Sequence, residues 1–139
     1  MTPTQRTIRL LKDSGYLVGT VERWAPVAGK RIDLYGIIDL LAIDSATTLG
    51  VQSTGTAFSE HDAKLRTAEA TKQWLAGPRE LVLIGWRKVR EKPREGKRMV
   101  YKPRIAYYHL IGGIVTKRET EALTRPNNGL GYKVSWQAD

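Results

Sequence analysis

With 139 residues, 41% of them apolar, the chain has the size and composition of one compact domain around one core. The lack of cysteine excludes disulfides and thiolate metal sites, and two histidines, His61 and His109, make a histidine-rich zinc site a poor fit, so any metal would sit on oxygen ligands. The net charge of +9 is unevenly placed: residues 1–60 carry six basic and six acidic side chains, and the remainder carries 17 basic against 8 acidic.

In chain order, residues 4–13 place Ile8 and Leu11 at helical spacing, with Pro3 at a tolerated first-turn position and Gly15 as a stop. The β-branched and aromatic run Tyr16 to Trp24 predicts a strand, Pro26 to Lys30 a turn, Ile32 to Ile43 a second strand and Leu49 to Ser53 a third. Ser59 and Asp62 form a capping pair ahead of a helix running to Ala76, which Gly77-Pro78 ends. Leu81 to Trp86 is a nearly continuous apolar run, as in a strand buried on both faces. Arg104 to Leu110 predicts a further strand, and Thr116 to Leu123 a short helix with Thr116 and Glu119 as its capping pair. No apolar run approaches the ~20 residues that span a bilayer, and the opening MTPTQRTIRLLKD lacks the apolar stretch of a signal peptide, so the expectation is a cytoplasmic protein without a membrane segment.

Two features carry chemistry. The first is Asp39, set among Ile37, Ile38, Leu40 and Leu41. An unpaired buried carboxylate costs several kcal/mol or protonates, so this residue needs a partner, a metal or an opening to water. If Ile32 to Ile43 and Leu49 to Ser53 pair as an antiparallel hairpin around Asp44 to Thr47, Ile43 falls opposite Thr48 and Asp39 opposite Gln52. Directly opposed side chains have Cβ atoms roughly 5 Å apart, close enough to share a divalent ion. On one continuous strand Asp33 would lie about 20 Å from Asp39, too far to join it, and is expected to be a strand-entry residue. Asp44 is an ordinary turn acid.

The second feature is the segment from Trp86 to Arg104, with nine Lys or Arg and two Glu. Its candidate phosphate-binding side chains are Arg87, Lys88, Arg90, Lys92, Arg94, Lys97 and Arg98, suited to a polyanion bound in a salt-dependent, largely sequence-independent way. A solvated basic loop is the plainer alternative. Trp74 and Trp86 lie in elements that need core. His61 sits in a helix start where an exposed role is common, His109 lies on a strand, and Asn127 to Gly131 is turn material without a phosphate-loop motif.

The order αβββαβ, with Asp39-Leu40-Leu41 in the second strand and Val51-Gln52-Ser53-Thr54 in the third, resembles the PD-(D/E)XK nuclease superfamily over residues 4–88. The superfamily includes restriction enzymes, small phage nucleases and Holliday junction resolvases. The resemblance implies an α/β fold with a restriction-endonuclease-like core, a mixed sheet flanked by helices; the extra C-terminal strand and short helix would be additions to it. It implies a metal-dependent DNA endonuclease that hydrolyses phosphodiester bonds, encoded by a bacterium or phage, with branched DNA as a candidate substrate and a homodimer as a candidate assembly. Asp39 and Gln52 would bind Mg²⁺ (or Mn²⁺), with Gln5 or Glu22 as a third ligand. Thr54 stands where the family has a lysine and Ile38 where it has a proline. The family recruits a substitute amine from the next helix, and Lys64 is the candidate, with Arg66 and Lys72 behind it. A nuclease-fold module that binds nucleic acid or assembles without catalysis is the alternative.

Overall fold

The computed structural model describes residues 1–91, 96–127 and 133–135. Its elements in chain order are α1 (Pro3–Asp13), β1 (Leu17–Thr20), β2 (Arg23–Ala25), β3 (Lys30–Ile32), β4 (Leu40–Ile43), β5 (Thr48–Thr54), α2 (Phe58–Thr67), α3 (Glu69–Ala76), β6 (Glu80–Arg90), β7 (Met99–Ile111), β8 (Ile114–Thr120), β9 (Thr124–Asn127) and β10 (Lys133–Ser135). Six strands make one mixed sheet in the order β1-β4-β5-β6-β7-β8, and β2-β3 and β9-β10 are separate two-stranded ribbons. Only the β5-β6 pairing within the large sheet is parallel, because α2 and α3 carry the chain back between those strands. No helix among the described residues is long and apolar enough to cross a membrane.

The sheet is covered on both faces, and strand alternation decides which side chain goes where. Leu40, Ala42, Leu49, Val51, Val82, Ile84, Ile105 and Tyr107 meet Leu11 of α1 on one face. Leu81, Leu83, Ala106 and Tyr108 meet Phe58 and Leu65 of α2 on the other, with Ile37, Ile38 and Trp74 packed there too. The unbroken apolar run at residues 81–84 is therefore explained by burial on both sides, at about 1.5–3 kcal/mol for each large side chain removed from water. Gly50 is needed for a close approach: a Cβ there would stand 2.7 Å from Ile38 Cδ1 and 3.0 Å from Trp74 Cζ2.

Several sequence expectations are corrected. The stretch expected as one strand from Ile32 to Ile43 is broken, because the chain reverses between Asp33 and Ile38. Leu34 N–H donates to Ile38 O at 2.7 Å and Ile38 N–H to Leu34 O at 3.1 Å, while Tyr35 (φ 55°) and Gly36 (φ 74°) take left-handed conformations. The expected strand from Tyr16 to Trp24 divides likewise into β1 and β2. The Ser59/Asp62 capping pair does not form; α2 starts at Phe58 after Ala57 with no side-chain cap, and an extended Ala68 separates α2 from α3. The short helix expected at Thr116 to Leu123 is strand β8. Its β-branched residues favour a pleated strand, and the Gly112-Gly113 turn, with both φ values positive, folds it back on β7. The expectations that do hold include α1, with a Thr2/Gln5 capping box, and the hairpin register, with Ile43 opposite Thr48.

Much of the basic segment is strand. Trp86 to Arg90 pairs with Met99 to Pro103, continuing β6 and β7 as a two-stranded ribbon beyond the strand pairs that flank them at β5 and β8.

Candidate functional site

The site lies at the C-terminal end of β5, where β4 has not yet begun and polar groups of both chains need partners. Asp39 N–H donates to Val51 O at 3.0 Å although Val51 is already the partner of Leu40, so the β4-β5 ladder ends in a two-against-one irregularity at Asp39. Its Oδ2 accepts from Gln52 Nε2 at 3.1 Å and from Ser53 N–H at 3.2 Å. Asp39 is 5% exposed, and its Oδ1 is buried without a hydrogen-bond partner.

Two further carboxylates converge on it. Val21 and Glu22 N–H both donate to Asp39 O, at 3.1 and 3.3 Å, a two-against-one arrangement that bends the chain leaving β1 and swings Glu22 inward. The reversal at Leu34 to Ile38 folds Asp33 back to the same place. One carboxylate oxygen from each of Glu22, Asp33 and Asp39 lies within 4.8 Å of the others. This overturns the expectation that Asp33 is about 20 Å from Asp39, which assumed an uninterrupted strand. The signal in the sequence was Tyr35-Gly36, a pair able to supply the tight turn.

Burial is the main reason the Asp39 carboxyl is raised to about 7; the negative charges of Asp33 and Glu22 push the same way, and the Ser53 and Gln52 hydrogen bonds oppose them. Lys64 of α2 supplies the opposing charge. Its ammonium donates to Gln52 Oε1 at 2.9 Å and stands 3.5 Å from Asp33 Oδ2. Gln52 is thus a bridge, with its amide nitrogen on Asp39 and its oxygen on Lys64. Arg31, on the rim, is 3.9 Å from Glu22 Oε1.

Other sequence candidates are placed as follows. Gln5 is exposed, and its oxygen accepts from Thr2 N–H at 2.8 Å in the α1 cap, so it stays outside the carboxylate group. Arg66 is 2.8 Å from Asp62 Oδ2, in a buried network where Tyr108 OH donates to Asp62 Oδ1 at 2.6 Å. Lys72 is exposed on α3. Thr54, two residues beyond Gln52 on the same strand face, is buried. His61, one turn before Lys64, has an Nδ1 that is buried without a partner, and burial, followed by the nearby Lys64 charge, lowers its pKa.

On the ribbon, Arg87, Lys88 and Arg90 are set on β6, and Lys97 and Arg98 lead into β7, with Arg98 3.3 Å from Glu91. Lys92 and Arg94 lie outside the described residues. Arg87, Lys102 and Arg104 line a groove of about 650 Å³, closed on its other side by Glu119 to Glu121. Arg104 also stacks on Phe58, 4.0 Å from the ring centre, so the groove begins where α2 leaves the sheet. Three strand spacings separate β4 from β7, which puts the groove about 14 Å across the sheet from the carboxylates.

No family model, no curated protein and no solved structure matches this chain.

Proposed function

We propose that the chain is a metal-dependent deoxyribonuclease built on a PD-(D/E)XK-like core, hydrolysing phosphodiester bonds at Asp39. The observation that carries this reading is the convergence of the Glu22, Asp33 and Asp39 carboxylates, with Asp39 Oδ1 buried and without a partner and Lys64 beside Asp33. An all-oxygen donor set suits a hard cation such as Mg²⁺ or Mn²⁺, and the buried bare oxygen is a ligand in want of one. The bound cation supplies polarisation of a phosphate oxygen and a lowered pKa for a coordinated water.

The chain's own residues do the rest. Asp39 is held by Gln52 and Ser53 with one oxygen left over. Gln52 bridges that carboxylate and the Lys64 ammonium, which would stabilise negative charge developing on the phosphate. The sequence expected Asp39 and Gln52 as the metal pair; the geometry favours Glu22 and Asp33 as the companions of Asp39, and Gln52 as the residue that orients the Asp39 carboxylate. Arg87, Lys88 and Arg90 of β6, and Lys102 of β7, would give the DNA backbone cationic contacts on the paired ribbon.

The second reading, a nucleic-acid-binding module without catalysis, is favoured by Thr54 in place of the strand lysine. Incubation of the protein with plasmid and branched DNA in Mg²⁺ or Mn²⁺ separates the two. Cutting that disappears in Asp39→Asn supports the enzyme, and binding without cutting in either metal supports the module.

A further inference from the structure

We infer that the β2-β3 hairpin, together with Tyr35, is a stacking platform for unpaired DNA nucleotides, feeding a single strand to the carboxylate site. The inference rests on the proposed function for its purpose but not for its test.

The hairpin is a ribbon separate from the main sheet, and both its ends are site residues: Glu22 immediately precedes β2 and Asp33 immediately follows β3. A ligand lying along it therefore reaches the carboxylates with no intervening element. Residues 23–32 hold Arg23, Lys30 and Arg31 and no acid, although the first sixty residues as a whole are neutral. All three cations are exposed. Trp24 lies directly opposite Arg31 and is 57% exposed, Tyr35 is 70% exposed, and Val27 projects from the tip. Exposed aromatic rings offer flat faces on which bases can stack.

Tyr35 stands between two clefts. One, of about 300 Å³, has Arg23, Ile32 and Asp33 in its wall. The other, of about 460 Å³, is lined by Ala70, Gln73, Trp74 and Arg79 and is mostly apolar. Cations spaced along a ribbon for phosphates, exposed rings for base faces, and an apolar cleft next to one ring form the combination by which proteins hold single strands. A duplex hides its base faces within the stack and has nothing to offer Trp24 and Tyr35. Tyr35 takes a positive φ of 55°, a backbone conformation that an asparagine also tolerates.

The test is fluorescence anisotropy of a labelled oligothymidylate and of a blunt duplex of matched length, with the full chain in EDTA so that nothing is cut. The double variant Trp24→Ala/Tyr35→Asn is expected to lose about tenfold or more in affinity for the single strand while duplex affinity stays within about twofold. Unchanged thermal melting shows that the loss is not unfolding. Equal losses on both ligands, or no loss on the single strand, overturn the inference. A wild-type protein that prefers the duplex, or that binds neither, also overturns it. If the wild type cuts DNA but the variant binds single strands normally, the inference fails and the nuclease reading stands. Hairpin-dependent strand binding by a protein that cuts in no metal gives the converse.

Discussion

Lys64 Nζ donates to Gln52 Oε1 at 2.9 Å, and through this bond a helix and a strand agree on where the Gln52 amide points. The amide nitrogen must then face Asp39, which leaves that carboxylate's Oδ1 free. Replacing Lys64 by Met keeps the apolar stem and removes the charge. The cleavage rate should fall about 10²- to 10³-fold, the size of loss seen when one preorganised donor to a transition state is removed. A thermal shift induced by Mn²⁺ should persist, since the carboxylates remain. Loss of metal binding in Lys64→Met would assign the lysine to site assembly instead.

Asp39→Asn should make the protein more stable and inactive at once. An asparagine keeps the shape, still accepts from Ser53 and Gln52, and no longer has to hold a charge away from water beside Glu22 and Asp33. At pH 8 the gain should be a few kcal/mol, about 1.4 for each unit by which the carboxyl was raised, read as an upward shift of the denaturation midpoint. A variant as stable as wild type, or less so, would show that the carboxylate is not strained in the folded chain.

The pH dependence follows from the same group. Between its ordinary 3.8 and the raised value of about 7, the folded chain keeps the Asp39 proton that the unfolded chain has released. The native state binds more protons in that window, so the Asp39 contribution to stability declines as pH rises from about 4 to 7 and is flat above it. Asp39→Asn should remove this component from a pH series of melting curves. Affinity for Mn²⁺ should run the other way, rising as pH passes through about 7, because the ligand must be ionised.

Tyr108→Phe tests the buried anchor of α2 without touching the site. It removes the 2.6 Å bond to Asp62, whose other oxygen keeps Arg66 at 2.8 Å and Lys117 at 3.7 Å. A hydrogen bond to a charged group is worth about 1.5–3 kcal/mol, so urea denaturation should show a loss in that range with an unchanged m-value.

Binding of duplex DNA should weaken steeply with salt. Arg87→Ala and Lys88→Ala should each lower the magnitude of the log-affinity against log-salt slope by about 1, uniformly across sequences. A slope unaffected by either change would remove the ribbon from the interface.

The sequence by itself determined the parts of this protein that local pattern controls. The apolar run at residues 81–84 declared a strand buried on both faces, Pro3 and Gly15 bracketed the first helix, and the hairpin around Asp44 to Thr47 set Ile43 against Thr48, which brings Asp39 and Gln52 to the same end of the strand pair, where their side chains bond. The tertiary structure alone decided what joins them. Glu22 reaches Asp39 through an irregular exit from β1, and Asp33 through a five-residue reversal closed by Leu34 and Ile38, both of which break the strands that propensity would have continued. Propensity and periodicity are properties of neighbours along the chain. The convergence of three like charges is locally unfavourable and is imposed by the packing of Ile37, Ile38 and Trp74 beneath the turn, which no local pattern encodes.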